Sequence, residues 1–212
     1  MFDYTLLHWT TFFSAAILLN IAPGPDMAFI LAQTARKGRQ GGFAAMLGIW
    51  TGTFLHVMLA AAGLSVILAT SAIAFSIVKW AGVAYLIFLG GQALFSREGE
   101  GRFSTKKPAK EMQMRAIYGQ GILVSALNPK VAIFFLAFLP QFVVTGAGPI
   151  SAQLLLHGTL IIVVAALIEP PLVFAGSRLA TALRNNEHVG LWLDRSLGAM
   201  LIALGIWLAL GD

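Results

Sequence analysis

Few side chains in this sequence can do chemistry, and most of those that can stand in apolar surroundings. Asp26 follows Pro23-Gly24-Pro25 inside one long hydrophobic run, and Lys130 follows Asn128-Pro129 inside another. A charge isolated at the centre of a bilayer costs at least ~2.5 kcal/mol, so such residues are rare and commonly serve transport or proton relay. The two carry opposite signs. They either pair with each other as a structural ion pair, or divide a zwitterion between them. In the second case Asp26 takes the ammonium, and Lys130 or a helix end takes the carboxylate. A carboxylate held away from water can also take up a proton, which makes Asp26 a candidate for proton coupling. Glu169, just before Pro170-Pro171, and His56 are the other two candidates. Glu169 reads equally as a relay or as the complement of a neighbouring arginine. His56 reads first as a hydrogen-bonded packing residue and second as a relay. Lys79 stands near the end of its run, where its stem can carry the ammonium to the interface.

Other chemistries have no support. The chain has no cysteine, which removes disulfides, thiolate metal sites and a cysteine nucleophile. It has no H-E-x-x-H, no phosphate-binding loop and no G-x-S-x-G. A heavy-metal exporter would need clustered Cys, His or carboxylates. An intramembrane aspartyl protease needs two carboxylates at one site, and the spans given below put only Asp26 near the midplane. No enzyme, cofactor or resident metal is expected. The formal net charge of +5 does not point to nucleic acid, because the basic residues lie between hydrophobic runs and orient the chain in a bilayer.

The elements that must hold these residues are membrane helices. Of 212 residues, 58% are hydrophobic and 11% charged, whereas a soluble domain is about a quarter charged. The apolar runs reach about 20 residues or more, enough to cross the hydrocarbon core. A first span runs from about Leu6 to Gln33, a second from Phe43 to Leu68, a third from Ile73 to Phe95. Ser96 to Arg115 is a polar linker. A fourth span covers Ala116 to Val144, a fifth Ile150 to about Ala175, and a sixth about Leu193 to Leu210. The first run has neither a basic n-region nor an A-x-A site, and is read as an uncleaved helix. The expected fold is an all-α integral membrane protein of about six transmembrane helices. It divides into a first three-helix repeat (1–95), a cytoplasmic linker (96–115) and a second three-helix repeat (116–212).

Loop charge orients the chain. Every Lys and Arg except Lys79 and Lys130 falls in connections one–two, three–four and five–six. Positive charge marks cytoplasmic loops, so both termini are expected on the outside. Each half has three spans, so the second half enters from the opposite face. That is a 3+3 inverted repeat, as in many secondary transporters. Each half also begins with a helix broken by proline: Gly24-Pro25-Asp26-Met27 corresponds to Asn128-Pro129-Lys130-Val131. Proline suits a first helical position and asparagine an N-cap. Each break therefore begins a half-helix within the bilayer, its free N–H groups and positive dipole end directed inward. Two such ends facing each other make a site for a carboxylate. The plainer alternative is a pair of proline kinks, which membrane helices tolerate.

The same residues resemble the LysE/RhtB family of lysine and homoserine/threonine exporters over nearly the whole chain. Asn20-Ile21-Ala22-Pro23-Gly24-Pro25-Asp26 looks like the family's first-helix signature. Gly48-x-x-x-Gly52-x-x-x-His56 looks like its second-helix pattern. Lys79-Trp80-Ala81-Gly82, Tyr85-Leu86 and Gly90 look like the third. Asn128-Pro129-Lys130, Phe134-Phe135 and Pro140-Gln141-Phe142 look like the fourth. The resemblance implies a bacterial inner-membrane exporter of small, neutral amino acids or their derivatives, driven by proton antiport and open to homodimerisation. It implies substrate-binding roles for Asn20, Pro23, Gly24, Pro25, Asp26, Asn128, Pro129 and Lys130. Glu169-Pro170-Pro171 departs from the family's pattern and leaves the cytoplasmic path open.

Overall fold

Thr5 opens the first helix: its hydroxyl accepts a hydrogen bond from the His8 N–H at 3.1 Å, satisfying one of the donors that every helix start leaves free. α1 runs Leu6–Ile21 and stops where two prolines follow. Ala22 (φ −56°, ψ 121°) and Gly24 (φ −172°, ψ −175°) are extended, the conformation that a following proline favours. α2 then starts at Pro25, which has no N–H to lose at that position. In this computed structural model the described residues are 4–22, 24–64, 71–95 and 113–185, with further helical positions between 192 and 210. Among them there is no strand. Pro23 and most of the expected linker lie outside them.

α2 (Pro25–Leu59) has 35 residues and turns at Gly38, where φ is 65° and ψ −161°. A Cβ there would meet nothing within 4 Å, so the positive φ, not lack of space, calls for glycine. The sequence reading puts a loop between Gln33 and Phe43. The structure keeps both flanks helical and concentrates the turn in one residue, because the neighbours are fair helix formers. Arg36 and Arg39 are exposed beside the turn. A π-helical turn, Ala60–Leu64, ends the element.

α3 (Ala72–Leu94) matches the third expected span. α4 (Met114–Ala126) ends at Leu127, and α5 (Pro129–Ile133) begins again after Asn128. The Asn128 side chain accepts from the Lys130 N–H at 3.0 Å and caps α5. A π-helical turn (Phe134–Phe138) and a 3-10 turn (Leu139–Phe142) complete this half-helix, and the axis bends by 49° at the break. Both expected proline breaks are therefore present as non-helical backbone.

α6 begins at Ile150, as the sequence predicts, but it does not end near Ala175. It continues through Pro170 and Pro171 to Asn185. Proline removes N–H donors and leaves carbonyls one turn earlier without their partners, a loss that neighbouring helices can make good. Glu169 accordingly sits near the middle of a 36-residue helix.

Glycines set the closest helix contacts. A Cβ on Gly48 would lie 3.0 Å from the Cα of Gly121, and one on Gly52 would lie 2.8 Å from the Cβ of Ser125. α2 and α4 thus pack backbone against backbone along the small-residue stripe, as membrane helices do. At Gly198 a Cβ would fall 2.6 Å from the Gly90 carbonyl oxygen, which holds the last helical stretch against α3. The main core joins Phe12, Phe134, Phe135, Phe138 and Phe142 with Leu154 and Ile161 of α6.

The outside is as apolar as the core. Leu6, Leu59, Ile73, Leu127 and Leu167 are each at least 69% exposed, a pattern that suits lipid and not water. Among the described residues, Pro25–Leu64 and Ile150–Gly176 are each long and apolar enough to cross a membrane, and the bent pair Met114–Ala126 with Lys130–Phe142 meets the same length and apolarity only when taken together. α1 is apolar but has only 16 residues, short of the ~20 a crossing needs. It reads as the first part of a broken span that α2 continues.

Candidate binding cavity at the helix breaks

The two breaks meet. A Cβ on Gly24 would lie 3.2 Å from Lys130 Nζ, so the start of α2 faces the start of α5. Around them α1, α2, α5 and α6 enclose a cavity. Asn20, Asp26, Trp50, Thr53, Lys130 and Glu169 provide its polar lining, while Leu19, Met27, Ile30, Ile49, Phe135, Ile161 and Ala165 provide most of the apolar wall. About 30 Å³ of it is open to water-sized molecules. That is room for a water or two and not for an amino acid.

Lys130 is buried and donates from Nζ to the carbonyl oxygens of Leu19 at 3.2 Å and Ala22 at 3.1 Å. These are the last carbonyls of α1, where the negative end of the helix dipole favours a cation. The ammonium therefore closes the broken end of α1 while standing in the first turn of α5. Asn20 donates back to the Ala16 carbonyl at 2.8 Å and reaches toward that of Ile161 at 3.5 Å.

Asp26 and Asn128 are both buried; the Asp26 carboxylate has the Asn128 side chain as a hydrogen-bonding neighbour and Lys130 as a charge neighbour. No hydrogen bond of acceptable geometry satisfies Asp26 Oδ1 or Asn128 Nδ2. One is an acceptor and the other a donor, and buried groups of either kind normally have partners. Glu169 is anchored: Trp50 Nε1 donates to its Oε2 at 2.6 Å. His56 does not line the cavity. Its Nε2 lies 3.2 Å from the Ser125 carbonyl oxygen, and its ring stacks on Phe135, which matches the packing reading.

Of the residues singled out in the sequence, Asn20, Asp26, Lys130 and Glu169 line the cavity. Gly24 and Asn128 stand at its edge through their contacts with Lys130 and Asp26. Pro25 and Pro129 start the two half-helices. The sequence reading put only Asp26 near the midplane, and the structure corrects this by adding Glu169 to the same cavity. Glu169 reaches it because α6 packs along α2 and turns this face toward Trp50. Trp50 and Thr53 were missed, because neither residue type marks a site until the tertiary fold aims it inward. Among the described residues, no group of three or more metal-ligating side chains could hold an ion.

A model of the family described as LysE type translocator matches residues 17–212. The chain belongs to the LysE type translocator family. Its relatives include a homoserine/homoserine lactone efflux protein of Salmonella typhi, 29% identical over 201 residues and covering 95% of each chain. The protein of the same name from Salmonella typhimurium is 28% identical, again over 95% of each chain. An uncharacterised membrane protein of Pseudomonas aeruginosa is 28% identical, over 94% of this chain and 93% of its own. No solved structure matches. As a LysE-type translocator the chain is a multi-pass membrane transporter and not an enzyme.

Proposed function

We propose that this translocator exports small, neutral amino acids or close derivatives from the bacterial cytoplasm, in exchange for protons. The observation that carries the reading is the meeting of the two half-helix starts at a cavity lined by Asp26, Lys130 and Glu169, where Asp26 Oδ1 and the Nδ2 of the neighbouring Asn128 lack a hydrogen bond of good geometry. An α-amino acid satisfies both: its ammonium donates to Asp26, and its carboxylate accepts from Asn128 and from N–H groups at the half-helix starts. Lys130 adds positive charge beside the carboxylate while its ammonium stays on the end of α1. The apolar wall suits a short uncharged side chain. Two relatives named as homoserine/homoserine lactone efflux proteins support a cargo of that size and charge.

In this reading the chain lies in the inner membrane with its termini outside, as a 3+3 inverted repeat of about six spans. Asp26 alternates between substrate ammonium and proton, and Glu169 is the second proton site. The exposed apolar faces leave room for a homodimer. Counterflow of a labelled amino-acid panel in proteoliposomes tests the proposal. Neutral amino acids with short side chains should accumulate against an internal pool of the same compound, and basic ones should not. No accumulation of any amino acid above protein-free vesicles would remove the reading, and accumulation of another solute class would replace it.

A further inference from the structure

Two histidines distant in sequence meet at the end of the molecule where α1 begins. His8 Nε2 lies 2.8 Å from His157 Nε2, and His157 Nδ1 lies 2.8 Å from the Gln153 carbonyl oxygen. A carbonyl only accepts, so His157 Nδ1 carries the hydrogen, and in the neutral ring its Nε2 offers a lone pair. His8 Nε2 must then donate. The contact is thus specific to one arrangement of protons.

The pair is set in an aromatic collar. Tyr4 stacks on His8 at 4.3 Å and Trp9 on His157 at 5.5 Å, while Phe12 and Phe142 meet His157 at 4.8 and 6.0 Å. Tyr4 also donates to Gln153 Oε1 at 3.0 Å, tying the segment before α1 to α6 a second time. Among the described residues, Tyr4 is the other titratable group in contact; Trp9, Phe12, Phe142 and Gln153 carry no charge. Asp3 lies outside the described residues.

Helix geometry links this collar to the cavity. His157, Ile161, Ala165 and Glu169 follow at i+4 spacing on one face of α6, and the last three line the cavity. His157 stands roughly 18 Å from Glu169 along the axis, so the collar lies one turn beyond the cavity lining on this face and Glu169 lies toward the other end.

We propose that the His8–His157 contact is a proton-operated latch on the gate of this cavity, at the membrane face where the N-terminus lies. One added proton can be held at His8 Nδ1 without breaking the contact. A second must go to His157 Nε2, and then two N–H groups face each other at a distance that only a donor and an acceptor tolerate. α1 and α6 separate at that end and the column opens. Burial and the charge of the first proton both oppose the second, so the gate is shut at neutral pH and opens only when the adjoining solution is distinctly acidic. The loop charges assign that face to the outside, where an exporter releases its cargo and takes up protons. The inference rests on reading the cavity as the transport path.

The chain has no cysteine, so Ala165→Cys provides a single thiol inside the column. Its rate of labelling by a membrane-impermeant maleimide from the N-terminal face is compared at each pH with that of the same variant carrying His8→Gln and His157→Gln. Thiol reactivity cancels in this ratio. The histidine-containing protein should be labelled several-fold more slowly at pH 7.5, and the two rates should converge as the outer solution is taken below about pH 5. A ratio that does not change with pH overturns the latch. If the double variant does not fold, His8→Phe, which keeps a ring against Tyr4 and loses the nitrogen, is compared in its place. Protection of the introduced thiol by L-homoserine reports on the cavity separately. A pH-dependent ratio without protection leaves the gate standing and removes the substrate reading, whereas protection with a constant ratio removes the gate alone.

Discussion

Asp26 Oδ1 and Asn128 Nδ2 make opposite demands from neighbouring positions. Each unpaired buried polar group costs about 1–3 kcal/mol, and a zwitterion is the kind of molecule that relieves both. Asp26 has two roles to fill, grip and proton carrier, and substitution by asparagine separates them. Asp26→Asn keeps the shape and an acceptor oxygen but cannot take up a proton at any working pH. If Asp26 carries the coupled proton, the variant should retain substrate exchange in vesicles while export driven by a pH gradient falls at least tenfold. Equal loss of exchange and export, in a variant that still folds, would assign Asp26 to the ammonium alone. Loss of neither would pass the proton role to Glu169, whose carboxylate is held by Trp50 in the same cavity.

At the scale of elements, the α2–α4 contact positions the breaks. Gly48 and Gly121 let two backbones approach to a distance at which a Cβ on either would fall about 3 Å from the other's Cα. Gly48→Val would force this contact apart, at a cost of roughly 1–3 kcal/mol for overpacking. A lower thermal midpoint in detergent and weakened counterflow are expected together, since α2 carries Asp26 and Trp50. Gly119→Ala is the control, because a Cβ there meets nothing within 4 Å. It should leave the midpoint unchanged or raise it slightly, alanine being the better helix former. If Gly48→Val proves as harmless as Gly119→Ala, the small-residue stripe is not what holds the helices at this spacing.

For the whole molecule, the arrangement of loop charge predicts that both termini face outward. A periplasm-dependent reporter fused after Asp212 should be active, and a cytoplasm-dependent one silent. Activity of the cytoplasmic reporter would overturn the orientation, and with it the assignment of the histidine gate to the outer face. The sequence by itself determined the features that depend on neighbours along the chain. Hydropathy marks the helices because bilayer thickness sets their length, and proline marks both breaks and asparagine caps the second because capping is local chemistry. The stripe Gly48–Gly52–His56 was legible for the same reason. Only the tertiary structure decided the rest. It turned α2 at Gly38 instead of in a loop, extended α6 to Asn185, and packed α6 on α2 so that Glu169 and Asp26 line one cavity. It spent the Lys130 ammonium on the end of α1 and set His8 against His157 across 149 positions. These outcomes depend on which faces meet in three dimensions, and no local pattern records that.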